Sequence, residues 1–470
     1  MTSKTFSLLA IAALMLTGCT MIPKYSRPDM PVPAGWPNGA AYRETAMDVP
    51  GGADLKWREF FTDERLQAII ETALGNNRDL RVAALNVERA RALYGIQRSE
   101  LFPRVDASAA GFKQRLPADL AGEGNPRTVE QYSANLGIAS WEIDFFGRIR
   151  SLSKRALEEY FATEHARRGA QVLLISEVAN AYLALAADRE NLQLAQSTLK
   201  SQQEAYNLIK RRHEVGLLPE LDLRQVQTRV DTARVDVARF TQLTAQDENA
   251  LNLLVGSPVP EQLLPESLSI IESLPDVSTG ASSVVLLHRP DILQAESQLK
   301  AANANIGAAR AAFFPRISLT TAIGSASGDL TGLFSGGSLA WNYAPQIVMP
   351  IFDARLWSAL SATKVDREIA VAQYERAIQG AFRDVADALA QRGTLGDQMA
   401  AQQSLLDATE GSYRLANMRY EKGTDIYLNV LDAQRSLYSA QQGLIAIRLA
   451  KLSNQVRLYS VLGGGGDPVN

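Results

Sequence analysis

The chain states one motif twice. It reads Glu100-Leu101-Phe102-Pro103-Arg104-Val105 and, much later, Ala312-Phe313-Phe314-Pro315-Arg316-Ile317. A single Phe-Pro-Arg-apolar string can recur by chance, but other pieces recur with it. Asp79-Leu80 and Asp291-Ile292 stand at the same displacement as Phe102 and Phe314. Tyr206, Arg212 and Gly216 pair with Tyr413, Arg419 and Gly423 at a slightly shorter one, and Gly256 pairs with Gly463. The chain is therefore read as a tandem duplication with halves of about two hundred residues. Whatever one half folds into, the other must fold into as well.

Proline marks where long helices can run. None occurs between Pro126 and Pro219 or between Pro350 and Pro468, and those windows hold the most regular apolar patterns. Val178, Leu185, Leu192, Leu199 and Tyr206 recur every seventh residue, with Leu174, Ala181, Ala195 and Ile209 on a companion register. Val371, Ile378, Val385, Met399, Leu406, Tyr413 and Tyr420 repeat the period in the second half. This is the pattern of a coiled-coil seam. Return helices carry Leu223, Val230, Val237 and Leu251, and Val430, Leu437, Leu444 and Leu458. Each half is thus expected to form a helical hairpin turning near Gly216 or Gly423. From Arg148 to His213, a rise of about 1.5 Å per residue gives a helix of roughly 100 Å, which favours a rod or tunnel over a globule.

Before each long helix the period changes from seven to two. Ile317, Leu319, Thr321 and Ile323 alternate with Ser318, Thr320, Ala322 and Gly324; after a Gly-rich loop, Leu339, Trp341 and Tyr343 alternate with Ser338, Ala340 and Asn342. The first half repeats this with Val105, Ala107 and Ala109, then Tyr132, Ala134, Leu136 and Ile138, and parity switches before Trp141, Ile143 and Phe145, which predicts a bulge. Segments of about ten residues with one apolar face fit transmembrane β-strands. Pro103 and Pro315 then act as punctuation, ending a helix and launching a strand. Two such hairpins supply four strands, whereas outer-membrane barrels begin at about eight and no open sheet edge can face lipid. Several protomers must close the wall, with eight strands as a dimer or twelve as a trimer.

Composition excludes other classes. With 46% hydrophobic residues, 21% charged residues and a net charge of -3, the chain reads as ordered and has no basic excess for nucleic acid. One cysteine, Cys19, permits neither a disulfide framework nor a thiolate metal site. His165, His213 and His288 are scattered, and no phosphate loop, His-Glu-x-x-His or nucleophile elbow occurs, so the chain is not expected to be an enzyme or to hold a metal or cofactor. Lys4 precedes an apolar run over residues 6–16, long enough for an export signal and too short to span a bilayer as a helix. The run ends in Leu16-Thr17-Gly18-Cys19, which resembles a bacterial lipobox, so Cys19 is expected to carry a covalent lipid after cleavage. Thr20 rather than Asp follows it, which resembles lipoproteins sent to the outer membrane. Six prolines over residues 22–50 describe an extended strap.

The lipobox, the duplicated Phe-Pro-Arg, "WEIDFFGRIR" and "MPIFDARLW" before the long helices, and "MRYEKGTDIYLNVLDAQRSLYSAQQ" followed by "LYSVLGGGG" together resemble the outer membrane factors of tripartite efflux pumps, the TolC and OprM type. The resemblance covers essentially the whole mature chain. It implies a mixed α and β membrane protein: a homotrimer with a twelve-strand barrel in outer membrane lipid, four strands per protomer, continuous with a periplasmic α-helical coiled-coil barrel. It implies a passive exit duct for efflux or a type I secretion-like system, with a periplasmic adaptor and an inner-membrane transporter as partners. The expected organisation is a signal peptide over 1–18, a lipidated strap over 19–54, and a first repeat over 55–256 with its β-hairpin near 103–145 and helical hairpin near 148–255. An equatorial linker follows over 257–288, then a second repeat over 289–463 with hairpins near 315–351 and 354–462, and a tail over 464–470. The competing reading is a periplasm-spanning structural or adaptor lipoprotein. An adaptor would carry one hairpin within lipoyl-like modules, and a spacer would have no reason for lipid-facing strands.

Two sets of side chains are candidate sites. Past Gly423, Val430 and Leu437 occupy the seam, which turns Leu428 and Asp432 together onto another face, one helical turn apart. Around a central axis they would form an apolar ring and an acidic ring, with Arg419 as the nearby cation able to clamp a carboxylate. These positions match constriction residues of the OprM-like pattern, and the first repeat has Gln225 where the second has Asp432, so the gate is expected mainly from the second hairpin. The alternative is an ordinary Asp432–Arg435 pair on a wetted surface. Separately, Asp188, Asp247, Arg392 and Lys451 each break a heptad register about thirty residues, or roughly 45 Å, from the turns, which predicts a charged layer in which opposite signs pair.

Overall fold

The computed structural model describes residues 20–42, 55–118, 127–271, 274–278 and 282–464. The expected signal segment, Cys19 and the tail beyond Gly464 lie outside them. Eight α-helices and four strands carry the described fold: α1 (Trp57–Phe60), α2 (Glu64–Asn76), α3 (Arg78–Ser99), β1 (Val105–Leu116), β2 (Arg127–Ile143), α4 (Arg148–Glu214), α5 (Glu220–Val255), α6 (Pro290–Ala311), β3 (Arg316–Ser327), β4 (Leu339–Val348), α7 (Ala354–Glu421) and α8 (Tyr427–Val461). The duplication is visible in the lengths. Helices α3 and α6 both have 22 residues, β1 and β3 both have 12, α4 and α7 have 67 and 68, and α5 and α8 have 36 and 35.

The chain forms two compact units. The first comprises Met1–Asp29, Asn86–Thr163 and Ala295–Tyr374, and the second Met30–Leu85, Glu164–Gln294 and Glu375–Asn470. In the first unit the strands form one antiparallel sheet in the order β1-β2-β3-β4. Pro103 falls between α3 and β1, and Pro315 between α6 and β3, where a ring without an N–H stops a helix at no cost to the strand that follows. Gly147 takes a positive φ of 74° at the exit from β2. Two arginines six residues on from two acids then latch that exit. Arg148 donates to Glu142 through Nε at 2.9 Å and Nη2 at 2.8 Å, and the backbone N–H of Arg150 donates to the Asp144 carboxylate at 2.8 Å. Arg316, from the second Phe-Pro-Arg, adds a third contact to Glu142 at 3.2 Å. The spacing in "WEIDFFGRIR" thus sets how a strand becomes a helix.

In the second unit the heptad seams are buried or half-buried, as apolar stripes on paired helices must be. Val178, Leu185, Ile378 and Val385 are fully buried, as are Leu251 and Leu458. Near the turns, Ile209, Val226 and Leu431 form a cluster with Tyr206, Leu218, Leu223 and Tyr427 against it. Each such aliphatic side chain contributes about 1.5–3 kcal/mol by leaving water. A second focus is aromatic: Phe60 stacks on Tyr459 at 4.1 Å, and the Tyr459 hydroxyl donates to the Leu55 carbonyl at 2.8 Å. Gly216 and Gly423 close the two turns at φ values of 77° and 70°, a region in which only glycine is unstrained.

Candidate functional site

The sheet's register decides which side chains share a face. Leu136 pairs with Ile323 and Ile323 with Trp341, while Val105, Ile138 and Tyr343 occupy the next rung on the same side. Opposite them lie Ser108, Asn135, Gly324 and Ala340. The bulge expected from the parity switch falls between Ile138 and Trp141, where β2 spends one residue more than β3. Ser140 takes a φ of 55° there, and its N–H donates to Thr320 Oγ1 at 3.2 Å. The extra residue returns Trp141 and Ile143 to the apolar face, opposite Leu319 and Ile317. That face is uncovered in the protomer: Trp341 is 73% exposed, and Leu136, Ile323 and Ile347 are exposed too. A contiguous apolar surface of this kind has hydrocarbon as its natural solvent. Among the described residues, β1 pairs only with β2 and β4 only with β3, so both outer edges keep unused backbone donors and acceptors.

At the hairpin turns, Val430 is 2% exposed while Leu428 is 38% exposed and the Asp432 side chain 49%. Seam and off-seam positions therefore separate, and Leu428 and Asp432 share a face of α8. Arg419 is not beside Asp432. Its Nε sits 3.1 Å from Asp425 Oδ2, inside its own turn. The same carboxylate accepts the Ile426 N–H at 2.9 Å and Asn429 Nδ2 at 2.6 Å. The Ile426 N–H, then Asn429 and Arg419, hold the Asp425 carboxyl below its usual range. Asp432 instead has two cations, Arg229 of α5 at 3.6 Å and Arg435 at 3.4 Å. The Arg435 pair is the surface pair the sequence offered as an alternative. Arg229 was not found by sequence reasoning, because spacing within one helix says nothing about which residue of another hairpin faces it. A further link joins the hairpins: Arg212 Nη1 donates to the Tyr420 hydroxyl at 2.8 Å. Tyr427 packs on Tyr420 at 4.8 Å, and burial, with Tyr413 and Tyr420 nearby, pushes its hydroxyl up to about 12.

The four heptad-breaking charges are brought together only in part. Asp188 of α4 and Asp247 of α5 lie together, and burial raises both carboxyls, Asp247 to about 6 with the Asp188 charge adding to it. Asn191 and Arg239 moderate the rise of Asp188. This is a carboxyl pair of like charge rather than the pairing of opposite signs that the spacing suggested. Arg392 Nη1 donates to the Val277 carbonyl at 2.9 Å, and Lys451 is exposed. The physical reason is rotational. Equal height above a turn places residues on one level without placing them on one side of it.

An antiparallel sheet with two open edges and an apolar outer face, in a chain whose other elements are heptad hairpins, defines a protomer of an outer membrane channel. The chain belongs to the outer membrane efflux protein family, whose profile matches residues 69–257 and 281–464, once in each half. It is 48% identical over 464 residues to the probable efflux pump outer membrane protein TtgC of Pseudomonas putida, covering 98% of this chain and 96% of that one. It is 40% identical over 460 residues to outer membrane protein OprJ of Pseudomonas aeruginosa, covering 97% and 95%. Among solved structures, the open state of the MtrE outer membrane channel of Neisseria gonorrhoeae matches with a TM-score of 0.85 and 38% identity, over 95% of this chain and 98% of that one. The outer-membrane channel OprN matches with a TM-score of 0.86 and 29% identity, over 96% and 100%. The protein is an outer membrane efflux channel component.

Proposed function

We propose that three copies close a twelve-strand barrel and form the passive exit duct of a tripartite pump, taking substrate from an inner-membrane transporter through a periplasmic adaptor. The observation that carries this is the uncovered apolar face on a four-stranded sheet with two open edges. Neither edge can remain unpaired in hydrocarbon, so β4 of one copy pairs with β1 of the next. Cys19 carries the lipid, and the tip of the second hairpin supplies the constriction through Leu428 and Asp432, with Arg419 bracing the turn through Asp425. The Asp188–Asp247 pair, with Arg392 and Lys451, belongs to the structural wall of the duct rather than to its gate. No cofactor takes part, and no catalytic step is assigned to any side chain.

The purified protein in detergent would be run heated and unheated on a denaturing gel, then reconstituted in a planar bilayer. A heat-sensitive slow band at three protomer masses and discrete conductance steps are expected. A monomeric band with no conductance would reject the duct in favour of a periplasmic spacer or adaptor.

A further inference from the structure

Within the first unit, the N-terminal strap follows one face of α6. Residues 21–27 are neither helix nor strand. Arg310 Nη1 donates to the Met21 carbonyl at 3.4 Å, and Asn303 Nδ2 to the Pro23 carbonyl at 2.9 Å. A Cβ on Gly307 would stand 2.6 Å from Ile22 Cγ1, 2.8 Å from its backbone nitrogen and 2.6 Å from Ser151 Oγ of α4, so the bare backbone at 307 makes room for Ile22 as well as for α4. Lys300 Nζ lies 5.4 Å from the centre of the Tyr25 ring. At the far end, Glu296 accepts the Tyr25 hydroxyl at 3.1 Å and Arg27 through Nε at 3.1 Å and Nη2 at 2.8 Å.

The strap's partners on the helix, 310, 307, 303, 300 and 296, step back by three or four residues, which is a single helical face. The lengths agree as well. Fourteen helical residues rise about 21 Å at 1.5 Å each, and six extended residues span about 20 Å at 3.3 Å each. Strap and helix therefore stay in step, antiparallel, from end to end. The clasp at Glu296 is the strong point: its side chain is 4% exposed, and a carboxylate that buried needs cations. Burial pushes this carboxyl up, but hydrogen bonds from Arg27 and Lys300 outweigh it and hold the group below the usual range.

We propose that this face of α6 is a docking track for the chain's own residues 21–27, and that the Arg27–Glu296 clasp fixes the register so that Thr20 is delivered at the end of α6 from which β3 starts. The consequence for the anchor rests on the reading that Cys19 is lipidated. The lipid then emerges at the foot of the barrel wall because the peptide is held there.

Full-length protein in detergent would be compared with Arg27→Ala, Arg27→Lys and Gly307→Val by limited trypsin digestion at Lys24. Cleavage there should be at least tenfold faster in Arg27→Ala and Gly307→Val, and faster by an intermediate factor in Arg27→Lys, with α6 itself still resistant. Unchanged cleavage at Lys24 in Arg27→Ala and Gly307→Val would overturn the track. Spin labels at Thr20→Cys and Ser318→Cys should give one narrow distance that broadens in Arg27→Ala; a broad distribution without that substitution would overturn the delivery of Thr20. In Cys19→Ser behind a cleavable signal the strap should stay protected. Loss of protection there would mean the lipid holds the strap, which also overturns the proposal, whereas N-terminal mass spectrometry decides lipidation separately.

Discussion

Asp432 meets its cations at 3.4 and 3.6 Å on a half-exposed surface, and contacts of this kind contribute about 0 to 1 kcal/mol each. Contacts this weak suit the proposed gate, which a partner protein would have to undo. Leu428→Ser combined with Asp432→Ser should raise single-channel conductance and sensitise cells to bulky antibiotics, with the amount of assembled protein unchanged. Conductance equal to wild type in correctly assembled channels would remove these residues from the constriction. Asp247 behaves differently. Its folded pKa, about 6, lies above the unfolded value near 4, so the folded state holds extra protons between these values and stability falls as pH rises through that window. Asp247→Asn, which cannot ionise, should raise the thermal midpoint at pH 8 and leave it nearly unchanged at pH 4. Melting followed by circular dichroism at the two pH values tests this, and an equal shift at both would show that charge is not the cause.

Among the elements, β2 and β3 leave no room for a side chain where Gly324 faces Asn135; a Cβ there would overlap the carbonyl of Ala134. Gly324→Val should therefore separate these strands. The heat-modifiable band should vanish while far-ultraviolet helicity persists, and a normal band would show that the pairing tolerates a side chain. Gly423→Ala should cost about 1 kcal/mol or more because of its positive φ, read as a lowered midpoint of helix melting. These elements were legible in the sequence for definite reasons. A buried heptad seam leaves its period in each helix's own residues, as Val178, Leu185, Ile378 and Val385 show, and the bulge at Ser140 leaves a change of parity. Which residue of another helix a given side chain meets leaves no such mark. Arg229 opposite Asp432, and Asp247 rather than a cation beside Asp188, depend on how far each helix is turned about its axis, which a shared height does not encode.

For the whole molecule, the barrel and the lipid proposed at Cys19 would be two means of holding one protein in a bilayer, and they differ greatly in size. An acyl chain contributes about 0.8 kcal/mol per buried methylene, less in total than a closed belt of apolar strands. Cys19→Ala behind a cleavable signal should still yield membrane-embedded oligomers on carbonate extraction, and soluble periplasmic protein would show that the strands do not suffice. The two open sheet edges have a further meaning in time. Before it meets its neighbours, a newly exported protomer is a short-lived species with adhesive flanks, and every wrong encounter competes with the right one. Because closure needs several copies at once, its rate climbs steeply with their local concentration. The cell must deliver them together or shield each one while it waits.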